Sequence, residues 1–522
     1  MELQHEVNQK KYRRRILSWS FYDWADHAYI TTTATTFFPP YFVAIAAPAF
    51  TKTDAGVIDE AAKALVRDSA SNVFAFAVAC ALLTAAILAP VIGTYADLTD
   101  RRKRILVLVT IAGGSASSLM FLLTTGMWIA ALIFYFITQV IVNIALGLNS
   151  SLLPHVARPD DMNRASSLGY AMGYIGGGLL LAVNAAVFLS AGRLGIREDT
   201  AVRLAFLFVG IWWIAFMLPL AINVPEPQTL PPGGDRSRSP CRDSFARLGK
   251  TIREIRRYKE LFKMLIAFWF YMEGVGAIIL LSAAYGAVLG LDTAALVGTL
   301  LMTQAVAFPY ALMYGRIPDA ANRLRGAYLS MIIWTGLTLP CIGVYANSRG
   351  AISVPSTLAI LAADQILGIL FSFSIGRFLF AGFAKGMNTK RAVILGLVIY
   401  TIVPLWGFFL KTTAEFFMIG WLVGTVQGGT QALSRTIYAR LSPPSKSGEF
   451  FGFYGLSEKF AGILGPLLYG LVGQITHSPR SSIMSISVFF CIGIILLWRV
   501  DVEKGEKIAI EEEQAAGGLG LK

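Results

Sequence analysis

Apolar residues in this chain fall into long unbroken runs, without the alternation of strands or the narrow stripe of a surface helix. Fourteen runs lie near 16–46, 71–93, 105–125, 127–153, 165–190, 202–223, 261–289, 294–314, 326–346, 354–376, 392–410, 414–434, 450–474 and 481–498. Most of the connections between them are short and polar. A hydrocarbon core about 30 Å thick needs ~20 helical residues to cross it, and every backbone polar group inside must be paired within its own helix. The pattern therefore predicts an all-α membrane protein whose chemistry lies in a cavity among the helices. Six runs precede a polar interval at 224–260 and eight follow it. The excess is placed near 316–376, because a hairpin of two helices can enter a bundle without changing the sidedness of anything downstream. The expected organisation is an N-terminal six-helix half at 1–223, a basic linker at 224–260, a C-terminal half with the inserted hairpin at 261–498, and a tail at 499–522.

Composition agrees with a membrane solvent. Of 522 residues, 55% are hydrophobic and 15% charged, against roughly 25% charged in soluble domains. The net charge of +13 would suit nucleic acid, but its distribution argues for topology. With the runs as spans, 34 of the 45 Lys and Arg fall on one side and nine on the other. That bias is the orientation signal read during insertion, so both termini and the linker are expected in the cytoplasm, and nucleic-acid binding is not expected. A basic cluster from Lys10 to Arg15 opens the chain, and no cleavable signal peptide is expected. The four cysteines show neither a disulfide framework nor a metal site. Leu248-Gly-Lys-Thr lacks the earlier glycine of a phosphate-binding loop, since Ser244 stands there. No cofactor is expected.

Ionisable groups inside spans are costly and usually face a wet cavity. Helical spacing puts Asp23, Asp26, His27 and Ile30 on one stripe of the first span. Asp26 or His27 would take a proton or meet a substrate ammonium, while Asp23 is either functional or interfacial and paired with loop arginines. Glu273 sits about twelve residues into its span, roughly 18 Å by helical rise, with Gly274 and Gly276 beside it as a place for local unwinding. Asp364 lies in the inserted pair, where helix packing or an interface is favoured. Glu458 and Lys459 point about 100° apart on a helix, so a cavity role for one of them stands beside an internal salt bridge. Gln427 and Gln431 share a face with Gly424 and Gly428, and Gln139 lies one turn from Asn143. Such amides suit interhelical bonds or ligands. Gly169, Gly173 and Gly177 make a small-residue ridge for close packing.

Between the second and third runs the chain reads Gly93-Thr-Tyr-Ala-Asp97-Leu-Thr-Asp100-Arg101-Arg-Lys-Arg104. This resembles the loop motif of major facilitator transporters, which implies a gating loop built on Gly93, Asp97 and Arg101 or Arg104. The matching loop of the second half is Gly382-Phe-Ala-Lys385-Gly-Met-Asn-Thr-Lys390-Arg391, with Lys385 where the acid would be. A second partial copy, Gly315-Arg-Ile-Pro-Asp319-Ala-Ala-Asn-Arg323, ends the preceding helix. Further blocks are Trp19-Ser-Phe-Tyr-Asp-Trp-Ala-Asp-His27, Phe37-Phe-Pro-Pro-Tyr41, Gln427-Gly-Gly-Thr-Gln431-Ala-Leu-Ser-Arg435 and Glu449-Phe-Phe-Gly-Phe-Tyr-Gly-Leu-Ser-Glu458-Lys459. Together they resemble the UMF1-type major facilitators, related to autophagy-linked vacuolar amino-acid effluxers, from about Trp19 to Val502. Asp26-His27 and Glu273-Gly274 depart from that pattern, where the family tends to have Asn-Ser and Asp-Gly.

The resemblance implies a two-half bundle of 12 core helices plus the inserted pair, 14 in all. It also implies a secondary active transporter of alternating-access type moving a small solute. Amino-acid efflux and proton coupling are the finer expectations, with substrate or proton contacts at Asp26, His27, Glu273, Glu458, Lys459, Gln427, Gln431 and Asn143. The chain is expected to be a monomer in the cell's inner or plasma membrane, with lipid and a small solute as partners. A membrane enzyme is disfavoured, for there is no nucleophile-and-base constellation and only four histidines. A non-transporting receptor or scaffold is the alternative.

Overall fold

The computed structural model describes residues 2–50, 60–228, 240–253, 257–319, 322–349, 352–460 and 462–515. Among them every regular element is helical. Eleven helices are long and apolar enough to cross a membrane, beginning with Val73–Thr99 and ending with Pro479–Trp498. The three other expected runs are helical as well, each with a feature that lowers its apolar length. The first helix, Glu2–Ala28, passes through a π-helical stretch Tyr29–Phe37 into Phe38–Phe50. Thr413–Leu441 carries a buried amide, hydroxyls and an arginine. The run at 450–474 is broken between Ser447–Phe460 and Leu464–Thr476. The membrane helical class is thus the observed one, while eleven helices, not fourteen, meet the requirement of length and composition among the described residues.

The chain divides into two compact units. The first comprises Met1–Leu152, Met172–Lys250 and Ser445–Leu456. Within it the first helix packs on Glu198–Asn223, Glu60–Thr99 packs on Trp128–Ser151, and Arg102–Leu119 lies against both Trp128–Ser151 and Glu198–Asn223. Large rings fill the seams: Phe38 stacks on Tyr135 at 4.4 Å and Tyr29 on Trp213 at 5.4 Å. Their polar tips still need partners in a medium without water. Tyr22 meets Thr110 at 2.7 Å, Tyr29 meets Thr138 at 2.7 Å, and the Trp19 indole donates to the Asn149 carbonyl at 3.0 Å.

The second unit comprises Leu153–Ala171, Thr251–Pro444 and Ser457–Lys522. Its helices repeat the same scheme. Lys259–Val288 packs on Ser487–Trp498, Thr293–Arg316 on Thr413–Leu441, and Thr389–Phe409 on both Thr413–Leu441 and Ser487–Trp498. Asn322–Arg349 and Val354–Phe371 have no counterpart in that scheme. They pack on each other, and Asn322–Arg349 also leans on Thr413–Leu441. A buried polar cluster ties the pair down. The Trp334 indole and the Gln365 amide donate to the two oxygens of Asp364 at 3.1 and 2.9 Å, and Tyr310 bridges Gln365 and Thr335 at 2.6 and 2.7 Å. Asp364 is therefore held by hydrogen bonds from Trp334 on one helix of the pair and Gln365 on the other.

Of the linker, Pro240–Arg253 is a helix, while 229–239 and 254–256 lie outside the described residues. Ser244 on it is fully buried and Arg247 half-buried.

Candidate functional site

In the first unit the chemistry gathers on the first helix. Asp26 is fully buried, and its Oδ1 lies 2.8 Å from Nδ1 of His27. The His27 ring is seated on the glycine ridge: a Cβ at Gly173 would stand 2.7 Å from it, and one at Gly177 would stand 3.0 Å from the His27 carbonyl. Tyr174 closes the other side, edge-on at 6.0 Å. The ridge expected to allow close packing therefore positions an ionisable group. One turn below, Asp23 is buried and accepts from the Asn149 amide at 2.8 Å. The π-helical stretch begins just beyond. Thr35 and Thr36 turn their hydroxyls back to the Thr31 carbonyl at 2.8 and 2.7 Å, which competes with the helical ladder and opens it. Such stretches are frequent at functional sites.

The expected amides separate into different situations. The Asn143 Nδ2 donates to the Gln139 carbonyl at 2.6 Å, and its Oδ1 is buried without a hydrogen-bond partner among the described residues. Gln431 is buried and Gln427 half-buried on Thr413–Leu441. Gly424, on their face, admits the Thr303 carbonyl, which a Cβ there would approach to 2.9 Å. Glu458 and Lys459 lie on Ser447–Phe460, but their side chains are outside the described residues.

Glu273 is fully buried in the second unit. Its Oε2 accepts from the backbone N–H of Gly462 and of Gly465, each at 3.0 Å, while Oε1 is buried and has no hydrogen-bond partner among the described residues. Gly462 has φ +151°, a conformation open to glycine and strained for other residues. The carboxylate thus caps the N-terminus of Leu464–Thr476, where orphan N–H groups attract negative charge. The sequence placed the unwinding beside Glu273 at Gly274 and Gly276. Instead Lys259–Val288 runs unbroken through both, and the break lies in the helix that Glu273 faces. Gly274 serves packing: a Cβ there would stand 2.7 Å from the Phe490 ring.

The loop at Gly93–Arg104 forms a clasp inside the first unit. Asp97 is buried; its Oδ1 accepts from the Gly448 N–H and its Oδ2 from the Glu449 N–H, both at 3.0 Å. These are the first amides of Ser447–Phe460, so the acid grips a helix N-terminus. A Cβ on Gly93 would collide with the Gly448 carbonyl, which explains the glycine four residues before the acid. The base on Asp97 is Arg102, fully buried, with its Nε 2.5 Å away and Nη2 donating to the Ser445 carbonyl at 3.3 Å. This corrects the expectation of Arg101 or Arg104. Arg101 is exposed, and Arg104 points its largely exposed side chain toward Glu226 at 3.9 Å. From the linker helix Arg247 reaches Glu449 Oε2 at 3.2 Å.

A second clasp lies inside the second unit, on residues 153–171. Asn163 donates to Asp319 Oδ1 at 3.0 Å and accepts from Thr389 at 3.3 Å. A Cβ on Gly315 would collide with Ser167. Arg435 donates to the Ser166 hydroxyl and carbonyl, both at 2.9 Å, and lies 4.5 Å over the Tyr170 ring. The copy that makes close contacts is therefore Gly315–Asp319. In the Gly382–Arg391 segment, Gly382 faces open space and Lys385 is exposed.

The family model for vacuole effluxer Atg22-like proteins matches residues 11–353 and 353–509. This chain belongs to the Atg22-like family. YxiO of Bacillus subtilis, an uncharacterized MFS-type transporter, is 28% identical over 505 residues, covering 96% of this chain and 98% of that one. Autophagy-related protein 22 of Cryptococcus neoformans is 23% identical over 67% of this chain, which spans only 54% of the fungal protein. In structure, the human organic anion transporter MFSD10 is similar at TM-score 0.57 and 12% identity, over 93% of this chain and 99% of that one. This Atg22-like chain is a multi-pass membrane protein of the major facilitator transporter type.

Sequence reasoning missed four contributors in this Atg22-like chain: Arg102, Arg247, Asn163 and Arg435 as a clasp residue. Arg435 was visible as the end of a block, but its partners come from a distant segment. Arg102 was hidden among four consecutive bases from Arg101 to Arg104, of which a turn can bury only one against Asp97.

Proposed function

We propose that this transporter works by alternating access with proton coupling, and that Glu273 carries the coupled proton. The observation behind this is the carboxylate buried against a helix break, one oxygen held by two backbone N–H groups and the other without a hydrogen-bond partner among the described residues. An acid in that position has two states of different cost. Ionised, it caps the break; protonated, it gives up part of that cap, so proton occupancy biases the geometry of the broken helix. The Asp26–His27 pair is the companion site in the first unit, suited to a proton or to a substrate ammonium. Amino-acid export is the favoured cargo and direction, by analogy with the vacuolar effluxers of the family. The charge bias favours a cytoplasmic side for both termini and the linker, and we take the protein to act as a monomer in the plasma membrane.

The test is flux in proteoliposomes, with a pooled set of labelled amino acids as probe. Glu273→Gln should abolish accumulation driven by a pH gradient yet keep exchange at equal pH within about twofold. Unchanged pH-driven accumulation would reject Glu273 as the proton carrier.

A further inference from the structure

The two clasps share one design and differ in one part. Both are built on Gly-x-x-x-Asp at the end of a helix, Gly93–Asp97 and Gly315–Asp319. Both hold a segment that starts with a single 3-10 turn, Pro444–Lys446 or Pro159–Asp161, before a long helix. In the first clasp the chain continues directly into Arg102, which pairs with Asp97. In the second, the two extra helices intervene between Asp319 and the basic end at Lys390–Arg391. Those bases are engaged elsewhere: Lys390 donates to the Val500 carbonyl at 2.8 Å and Arg391 to the Gly386 carbonyl at 2.5 Å. Asp319 keeps one amide donor, and its Oδ2 is buried without a hydrogen-bond partner among the described residues.

We propose that Asp319 is the acid of a split second clasp, and that the loss of its base makes its hold on residues 153–171 depend on protonation. The groups facing Asp319 are Asn163, Arg164 and Asp161 at the start of the held segment and Arg440 from Thr413–Leu441, with Thr389 reached through Asn163. On the adjoining Asn322–Arg349 helix, Arg325 donates to the Pro318 carbonyl at 2.8 Å. Burial pushes the Asp319 carboxyl above its ordinary value, outweighing the Asn163 bond and the pull of Arg440 and Arg164. The sign follows from linkage. An acid whose pKa is higher when clasped binds its proton more tightly in the clasped form, so the clasp is strongest at low pH and weakens as pH rises through the raised value. The inference concerns the clasp itself and survives any outcome of the Glu273 flux experiment.

The test is hydrogen–deuterium exchange of the full chain in detergent from pH 4 to 8, with protection factors corrected for the intrinsic rate at each pH. In the wild type, amides of 157–167 should lose at least threefold in protection as pH rises. Asp319→Asn keeps an acceptor for Asn163 without the charge, so protection should stay flat at the acid-side level. Asp319→Ala removes the acceptor and should be flat at a low level. A pH-independent wild type, or Asp319→Asn following the wild-type curve, would overturn the proposal.

Discussion

The two clasps are a natural experiment in how much a paired base changes an acid, fully buried at Asp97 and half-buried at Asp319. Asp97 grips two backbone N–H groups and has Arg102 at 2.5 Å. Asp319 grips one side-chain amide and, among the described residues, has no base at hydrogen-bonding distance in its own loop. Bonds from a helix N-terminus and a guanidinium to a carboxylate are the strong, charge-assisted kind. A neutral amide offers less and leaves the burial cost of the second oxygen unmet. The same sequence device thus yields a fixed fastening in one unit and a conditional one in the other.

The hardest way to break the comparison is Asp97→Ala. It takes from the buried Arg102 the carboxylate it pairs with, and breaking a buried pair typically costs about 3–5 kcal/mol. Thermal unfolding in detergent should show a clear loss of stability, well beyond that of Asp319→Ala. Next come the glycines. At Gly93 the obstacle to a Cβ is the Gly448 backbone, so Gly93→Ala should cost about 1–3 kcal/mol through forced separation. At Gly315 the nearest obstacle is the Ser167 side chain, with the Asn163 carbonyl at 3.0 Å. Gly315→Ala should therefore cost less and be largely repaired by Ser167→Gly, whereas no side-chain trimming repairs Gly93→Ala. Equal repair at both sites would show that the two approaches are alike.

The membrane class was legible in the sequence because lipid burial needs long apolar runs and little else. Glu273, Asp26 and His27 stood out as candidates because a charge within an apolar run must have a reason, and the structure shows Glu273 and Asp26 fully buried. What the sequence hid were partners far apart in the chain. No local spacing links Asp97 to Gly448, Ser166 to Arg435, or Glu273 to Gly462. The break near Gly462 was misplaced for a related reason: a glycine beside an acid and a glycine opposite it leave the same local trace. In the second clasp, the bases at Lys390 and Arg391 pointed to the wrong loop, because the extra helices separate the acid of the copy from its basic end. Gly-x-x-x-Asp is shared by both sites but does not mark them alone, since Gly195–Asp199 has the same spacing.

The most direct measurement compares Asp97→Asn with Asp319→Asn by hydrogen exchange at one pH above the raised value of Asp319. In the Asp97→Asn variant an amide group faces N–H donors and Arg102, so residues 445–456 should exchange faster than in the wild type. In the Asp319→Asn variant the charge on a half-buried carboxylate with one unmet oxygen disappears, so residues 157–167 should exchange more slowly. Opposite signs are the prediction, and acceleration of both segments would contradict it.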